Sequence, residues 1–245
     1  MSSEGFGPRA QGSGLLPVHG FVLAGGKSSR MGVDKATLEF CGRPMVEIAV
    51  EKLRGFCVEV GIAGNREDLA RFAPVVRESR VDSGPAVAFE TTLAATGCDW
   101  SVLIPVDVPL LPAALLRAWV YDVQTNAGPS GVRASYLTCG DETQQAVCLL
   151  HRSCAGTITW ALDHGERRLM KMFAAIDVND GPNRRPDGWS PVLAVAAERY
   201  VEAVSGATLA DVPWWFTNLN SPADVQIAEA WADCGGAGRA NSSRG

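Results

Sequence analysis

Short apolar runs alternate with longer amphipathic stretches through the first half of the chain, and this alternation limits the fold more than any other feature. The runs at 18–23, 57–62 and 101–106, with a shorter one at 74–77, have the length and β-branched content of buried strands. Between them, 44–55, 66–72, 85–96 and 112–124 carry helical spacing, and Pro112 after Leu111 stands where helices begin. Strands separated by helices need crossover connections. The expectation is therefore an α/β fold: a doubly wound, mainly parallel sheet with its site in a crevice at the carboxyl ends of the strands.

Beyond residue 130 the pattern changes. Val132–Leu137 and Gln144–Leu150 read as paired strands around Gly140-Asp141, and Ser153–His164 reads as a helix. Two proline-initiated helices with serine caps are expected next, Ser190-Pro191 before Val192–Ala203 and Ser221-Pro222 before Ala223–Trp231. No internal repeat is visible. One domain over 18–232 accounts for the patterned part, with a Gly/Ser/Pro-rich flexible leader at 1–17 and a similar tail at 233–245. A chain of 245 residues buries enough apolar surface to hold such a domain without staples.

The first strand runs straight into Leu23-Ala24-Gly25-Gly26, followed by Lys27, Arg30 and Lys35 within nine positions. Two glycines without β-carbons give a backbone free to adopt left-handed angles, approach a ligand and present N–H groups to anionic oxygens. A guanidinium grips two phosphate oxygens at once, and an ammonium adds a compact point charge. The loop therefore suits phosphate. It is not a Walker loop, because Phe21 occupies the position of that pattern's first glycine, and it lacks the glycine spacing of a dinucleotide fingerprint.

The second chemical feature is Asp107, at the carboxyl end of the buried run Ser101–Val106 and two residues before Pro109. With no basic neighbour in sequence, it projects a hard oxygen acceptor into the crevice. Mg²⁺ suits such a site, since it takes one or two carboxylates and completes its shell with water and phosphate oxygens. Asn218 and Asn220, alternating in a strand-like run, are expected on one face where either supports metal or phosphate. Glu166, Arg167 and Arg168 read equally as a solvated helix end. His151 and His164 have no nucleophile at a telling spacing. Trp189, Trp214 and Trp215 receive no role.

A net charge of -5 argues against a nucleic-acid or anionic-membrane surface, so any basic site is local. Seven cysteines without a Cys-x-x-Cys pair read as free or buried thiols of a reducing compartment, hence cytoplasmic. No apolar run reaches the length of a membrane span, and zinc finds no ligand cluster.

The run Leu23-Ala24-Gly25-Gly26-Lys27-x-x-Arg30-Met31-Gly32-x-Asp34-Lys35, followed by Phe40-Cys41-Gly42-Arg43-Pro44, resembles the signature of the molybdenum cofactor guanylyltransferases. Gly84-Pro85, Asp107-Val108-Pro109, Gly165–Met170 and Phe216–Pro222 are similar to four further family segments in the same order, so the resemblance spans roughly 18–232. It implies transfer of GMP from GTP to the terminal phosphate of molybdenum-bearing molybdopterin, with Mg²⁺ held by Asp107. Arg30, Lys35 and Asp107 become the implied catalytic residues. Nucleotide and substrate contacts fall on Leu23, Ala24, Gly25, Gly26, Lys35, Asn65, Glu78 or Asp82, Asp107, Asn218 and Asn220. GTP and molybdopterin are the implied partners, with transient contact to other cofactor-biosynthesis proteins.

The chain departs from the family pattern in places. Ala86-Val87-Ala88 follow Pro85 where leucine-alanine-glycine is usual, the family's asparagine near the second strand falls on Ala63 with Asn65 two residues later, and 180–206 is long. These changes bear on the choice of nucleotide. A cytidylyltransferase of the same pterin, a sugar-phosphate nucleotidylyltransferase and a nucleotide-binding regulatory protein without turnover are the competing readings.

Overall fold

The computed structural model describes residues 14–25, 34–80, 85–178 and 190–233. Strand β1 (Leu16–Leu23) opens the chain, and a two-residue hairpin, β2 (Glu39–Phe40) with β3 (Arg43–Pro44), leads into α1 (Met45–Arg54). Then come β4 (Cys57–Ala63), β5 (Val75–Val76), α2 (Val87–Ala95), β6 (Trp100–Pro105) and α3 (Ala113–Asp122). The second half adds β7 (Ala134–Cys139), β8 (Glu142–His151), α4 (Ala155–Asp163), α5 (Leu169–Val178), β9 (Val192–Ala196), α6 (Val212–Trp215) and α7 (Pro222–Asp233).

Seven strands form one sheet in the order β5-β4-β1-β6-β8-β7-β9. Every neighbouring pair is parallel except those made by β8, which runs against both β6 and β7. The sheet is thus mainly parallel and doubly wound. The chain leaves β1 toward β4 and β5 and returns on the other side as β6, so the order reverses between β1 and β6. In open α/β sheets the crevice at such a reversal, outside the carboxyl ends, is where ligands bind.

Alternate side chains of the central strands enter two different cores. Val18 and Val22 of β1 and Val102 and Ile104 of β6 pack with α1 and α3, whereas Phe21 and Leu103 pack with α2, α4 and α5. Burial on both faces explains why these strands read as continuous apolar runs. Gly20 lets α1 lie close to β1: a β-carbon there would sit 2.9 Å from Cys57 Sγ and 3.0 Å from Leu53 Cβ.

Three local expectations give way. Val192–Ala196 is a strand, not the first part of a helix; it pairs parallel with β7, and a 3₁₀ stretch (Ala197–Ala203) follows. Its valines suit the pleated edge, Arg133 and Ala134 N–H both donate to the Pro191 carbonyl, and Ser190 Oγ donates to Asp177 instead of capping a helix. The helix expected at 66–72 is a single 3₁₀ turn, Glu67–Leu69. The strand-like run at 216–220 is irregular chain, anchored by Leu219 N–H donating to the Asp107 carbonyl at 2.9 Å. Conversely, α5 had no forecast.

Ser221 does cap α7, its Oγ accepting from Asp224 N–H. The six cysteines among the described residues form no disulfide. None of the described helices is long and apolar enough to cross a membrane.

Candidate active site

The chain past Leu23 still follows the sheet for one residue, since Ala24 N–H donates to the Ala63 carbonyl at 3.1 Å, while Val106 N–H donates to Leu23. The ends of β4, β1 and β6 therefore stand side by side, with Leu23 in register with both Ala63 and Pro105. Chain segments far apart in sequence meet at this rim.

On the β6 side, Lys35 Nζ donates to Asp107 Oδ2 at 2.8 Å, the lysine side chain being 30% exposed and the aspartate 15%. Asp107 thus has a basic partner after all, supplied from the glycine loop and invisible to local sequence. A pair so close to solvent can exchange partners when a ligand arrives, which a fully buried pair cannot do cheaply. The same turn is pinned from below: Lys52, on α1, donates through Nζ to the Pro109 carbonyl. Burial pushes the Lys52 ammonium down to about 7. The Asn218–Asn220 segment closes the flank, with both asparagines exposed, Asn220 Nδ2 donating to the Asn218 carbonyl, and Leu219 fixed on Asp107. They do not form one face of a strand.

On the β4 side, Glu78 Oε1 lies where a β-carbon on Gly25 would stand, 2.8 Å from that position. Gly25 is not left-handed; the glycine matters because its missing side chain admits the carboxylate. Gly64 is the residue whose backbone requires glycine, with φ +145 and an ideal β-carbon 3.0 Å from Gly25 N. Asn65 Oδ1 accepts from Glu78 N–H at 3.1 Å, fixing the segment that carries the carboxylate. Burial raises the Glu78 carboxyl above its ordinary value. Leu23, Ala24, Gly25, Asn65 and Glu78 therefore gather on one rim, with Lys35, Asp107, Asn218 and Asn220 on the other. Gly26, Arg30 and Asp82 lie outside the described residues.

Glu166, Arg167 and Arg168 join α4 to α5. Glu166 Oε1 accepts from the N–H groups of Arg167 and Arg168, and Arg167 donates to the Leu162 carbonyl. Their bonds are those of a helix connection.

Two residues escaped the sequence reading, Lys52 and Arg66. Arg66 stands three residues past the end of β4 and donates to Asp34, the residue before Lys35. The rule that singled out Asp107, a charged residue at the carboxyl end of a parallel strand, applies equally to Arg66.

No group of three or more His, Cys, Asp or Glu among the described residues could cage a metal ion. A single carboxylate at the crevice is instead the donor set of a cation that shares its shell with substrate oxygens, and Asp107 fits that need.

A doubly wound sheet with a glycine loop after the first strand and a carboxylate across the reversal point defines a nucleotidyltransferase. Comparison with known proteins narrows this. The chain belongs to the MobA-like NTP transferase domain family, whose model matches residues 20–179. It is 33% identical over 165 residues, 64% of this chain and 80% of its relative, to a molybdenum cofactor guanylyltransferase of Serratia proteamaculans (strain 568). The fold is similar to that of molybdopterin-guanine dinucleotide biosynthesis protein A from Archaeoglobus fulgidus, with a TM-score of 0.66 at 18% identity over 88% of this chain and 99% of that one. It is also similar to Rv0371C of Mycobacterium tuberculosis H37Rv in a structure described as a complex with manganese, with a TM-score of 0.50 at 19% identity over 73% and 87% of the two chains.

Proposed function

We propose that this protein transfers GMP from GTP to the terminal phosphate of molybdenum-bearing molybdopterin, forming the guanine dinucleotide and releasing pyrophosphate. The observation that carries the reading is the contact of Lys35 with Asp107 across the β1/β6 reversal, beside the end of the glycine loop. An oxygen of the pterin phosphate attacks the α-phosphorus of GTP. A new P–O–P link forms as the bond to the β-phosphate oxygen breaks, and pyrophosphate leaves with the electron pair. No residue need form a covalent intermediate, so the work is positioning and charge stabilisation.

Gly25 and Gly26 offer backbone N–H groups to the phosphates, and Arg30 and Lys35 neutralise them. Asp107 would hold Mg²⁺, which when bound spreads the charge of the phosphate oxygens. The solvent-accessible Lys35–Asp107 pair supports a resting state in which each group neutralises the other until the nucleotide arrives. On the base side, guanine presents N1–H and an amine, both donors, which a carboxylate accepts. Glu78, held against Gly25 and tethered by Asn65, suits this role, and Asp82 is the alternative.

Thermal-shift measurements with GTP, CTP, ATP and UTP, each with Mg²⁺, test the reading, because a ligand that binds the folded state raises its melting temperature. GTP should give the largest shift, and pyrophosphate should appear when molybdopterin is added. A preference for CTP overturns the substrate assignment, and binding without pyrophosphate release overturns the enzyme.

A further inference from the structure

The carboxylate of Asp34 collects four donors. Ala36 N–H reaches Oδ1 at 3.2 Å and Thr37 Oγ1 reaches Oδ2 at 2.9 Å, both within its own turn. The other two come from Arg66, three residues past β4: its two terminal nitrogens donate to Oδ1 at 2.8 Å and Oδ2 at 2.6 Å. This is the two-pronged match between a planar guanidinium and a carboxylate, which fixes direction as well as distance. Lys35 sits in the middle of the turn so held, with its ammonium on Asp107.

The opposite edge of the Arg66 guanidinium is occupied too. Nε and a terminal nitrogen donate to Asp68 at 2.8 Å and 2.6 Å. A guanidinium has five N–H donors. With four of them directed at carboxylates, it has little left for a phosphate, although it stands among phosphate-binding elements. Its neighbour Asn65 holds Glu78 through the Glu78 backbone N–H. Two adjacent residues at one strand end thus hold the two halves of the crevice.

We propose that Arg66 is a positioning residue: through Asp34 it holds the turn at 34–37 in the conformation that directs Lys35 into the site, and it does not itself bind the nucleotide. Lysine cannot replace it, because a single ammonium cannot bridge two carboxylates with fixed geometry. The pairing also keeps the Asp34 carboxyl down at about 2, with the hydrogen bonds from Arg66 as the largest cause, so the brace stays charged through the neutral range. This inference rests on the role given to Lys35 above.

The test is a double-mutant cycle on pyrophosphate release, run with whichever nucleotide gives the largest thermal shift with the wild-type protein. Arg66→Ala and Arg66→Lys should each lower kcat by roughly 10- to 100-fold, the loss expected for a misplaced reacting group. In a Lys35→Ala background, Arg66→Ala should cost almost nothing further, since its effect passes through Lys35. Independent, multiplying losses would mean that Arg66 touches the substrate, and wild-type kcat in Arg66→Ala would mean the brace is idle; either result overturns the proposal. Asp34→Asn keeps one side-chain oxygen for Ala36 N–H and puts an amide NH2, which the Thr37 hydroxyl can accept from, in place of the second oxygen. It loses the charge that pairs with Arg66 and should reproduce the Arg66 loss, with circular dichroism checking that the fold is kept where Arg66→Ala melts early. If the wild-type protein turns over no nucleotide, the functional reading fails, and the brace is read instead from the nucleotide-induced thermal shift, which Arg66→Ala should reduce in the wild-type background and leave unchanged in Lys35→Ala; an undiminished shift in Arg66→Ala overturns the proposal.

Discussion

Lys35 and Asp107 stand 72 positions apart in sequence and meet at 2.8 Å, each covering the other's charge at the mouth of the crevice. Neither belongs to the secondary structure that positions it. Lys35 lies in a turn after the glycine loop, and Asp107 in the turn after β6, so the alignment of the strand ends brings the two turns within reach of each other.

Asp107→Ala and Lys35→Ala are each expected to lower turnover by on the order of 10² to 10³, the usual cost of removing one preorganised electrostatic group. Circular dichroism should remain that of the wild type, because both side chains reach solvent. Steady-state pyrophosphate assays at saturating Mg²⁺ check this; near-wild-type turnover of either variant rules out its assigned role.

Gly25→Ala should separate folding from recognition. The added methyl meets Glu78 Oε1, the movable end of a side chain, and the backbone there needs no left-handed angle. Stability should fall by less than about 1 kcal/mol while nucleotide affinity drops. Melting curves with and without GTP measure both at once. A large loss of stability in the free protein contradicts the account.

Glu78 gives a pH dependence. Burial raises its carboxyl above the ordinary glutamate range, so on acidification it loses its charge earlier than an exposed glutamate. A protonated carboxyl accepts less well from guanine's donors, and GTP affinity should decline as pH falls toward that raised value. Glu78→Gln should remove the decline and narrow the preference for GTP over ATP. Calorimetric titrations from neutral to mildly acid pH decide it, and an unchanged profile in Glu78→Gln points to another carboxylate, with Asp82 the first to examine.

Lys52 links stability to alkaline pH. Burial holds its folded value at about 7, against the 10.5 of an exposed lysine. Between these, the unfolded chain binds more protons than the folded one, so stability rises with pH through that window. Below it both states are protonated, and the folded state bears the cost of a buried ammonium. Lys52→Met should flatten the rise and, by freeing the Pro109 carbonyl, lower activity at Asp107. Denaturant titrations between pH 7 and 10 test the slope; parallel curves for the two proteins would exclude Lys52 as its source.

Much of this architecture is written locally. Continuous apolar runs, buried on both faces, mark β1 and β6 as central parallel strands, and Gly25 and Asp107 fall just past strand ends because the alternation of strands and helices requires it. The serine-proline pair at 221 starts a helix as its chemistry suggests. The identical pair at 190 does not, because the edge of β7 offers Val192–Ala196 a row of backbone partners that helix propensity cannot outweigh. The same limit applies to the site. Residue types and spacing suffice to propose a turn suited to phosphate and a carboxylate suited to a metal, since these proposals depend on backbone freedom and on charge close in sequence. That Lys35 neutralises Asp107, that Glu78 fills the space beside Gly25, and that Arg66 and Lys52 hold the two turns are long-range facts. They exist only once the sheet aligns its strand ends, because a hydrogen bond depends on position in space and sequence distance says nothing about it.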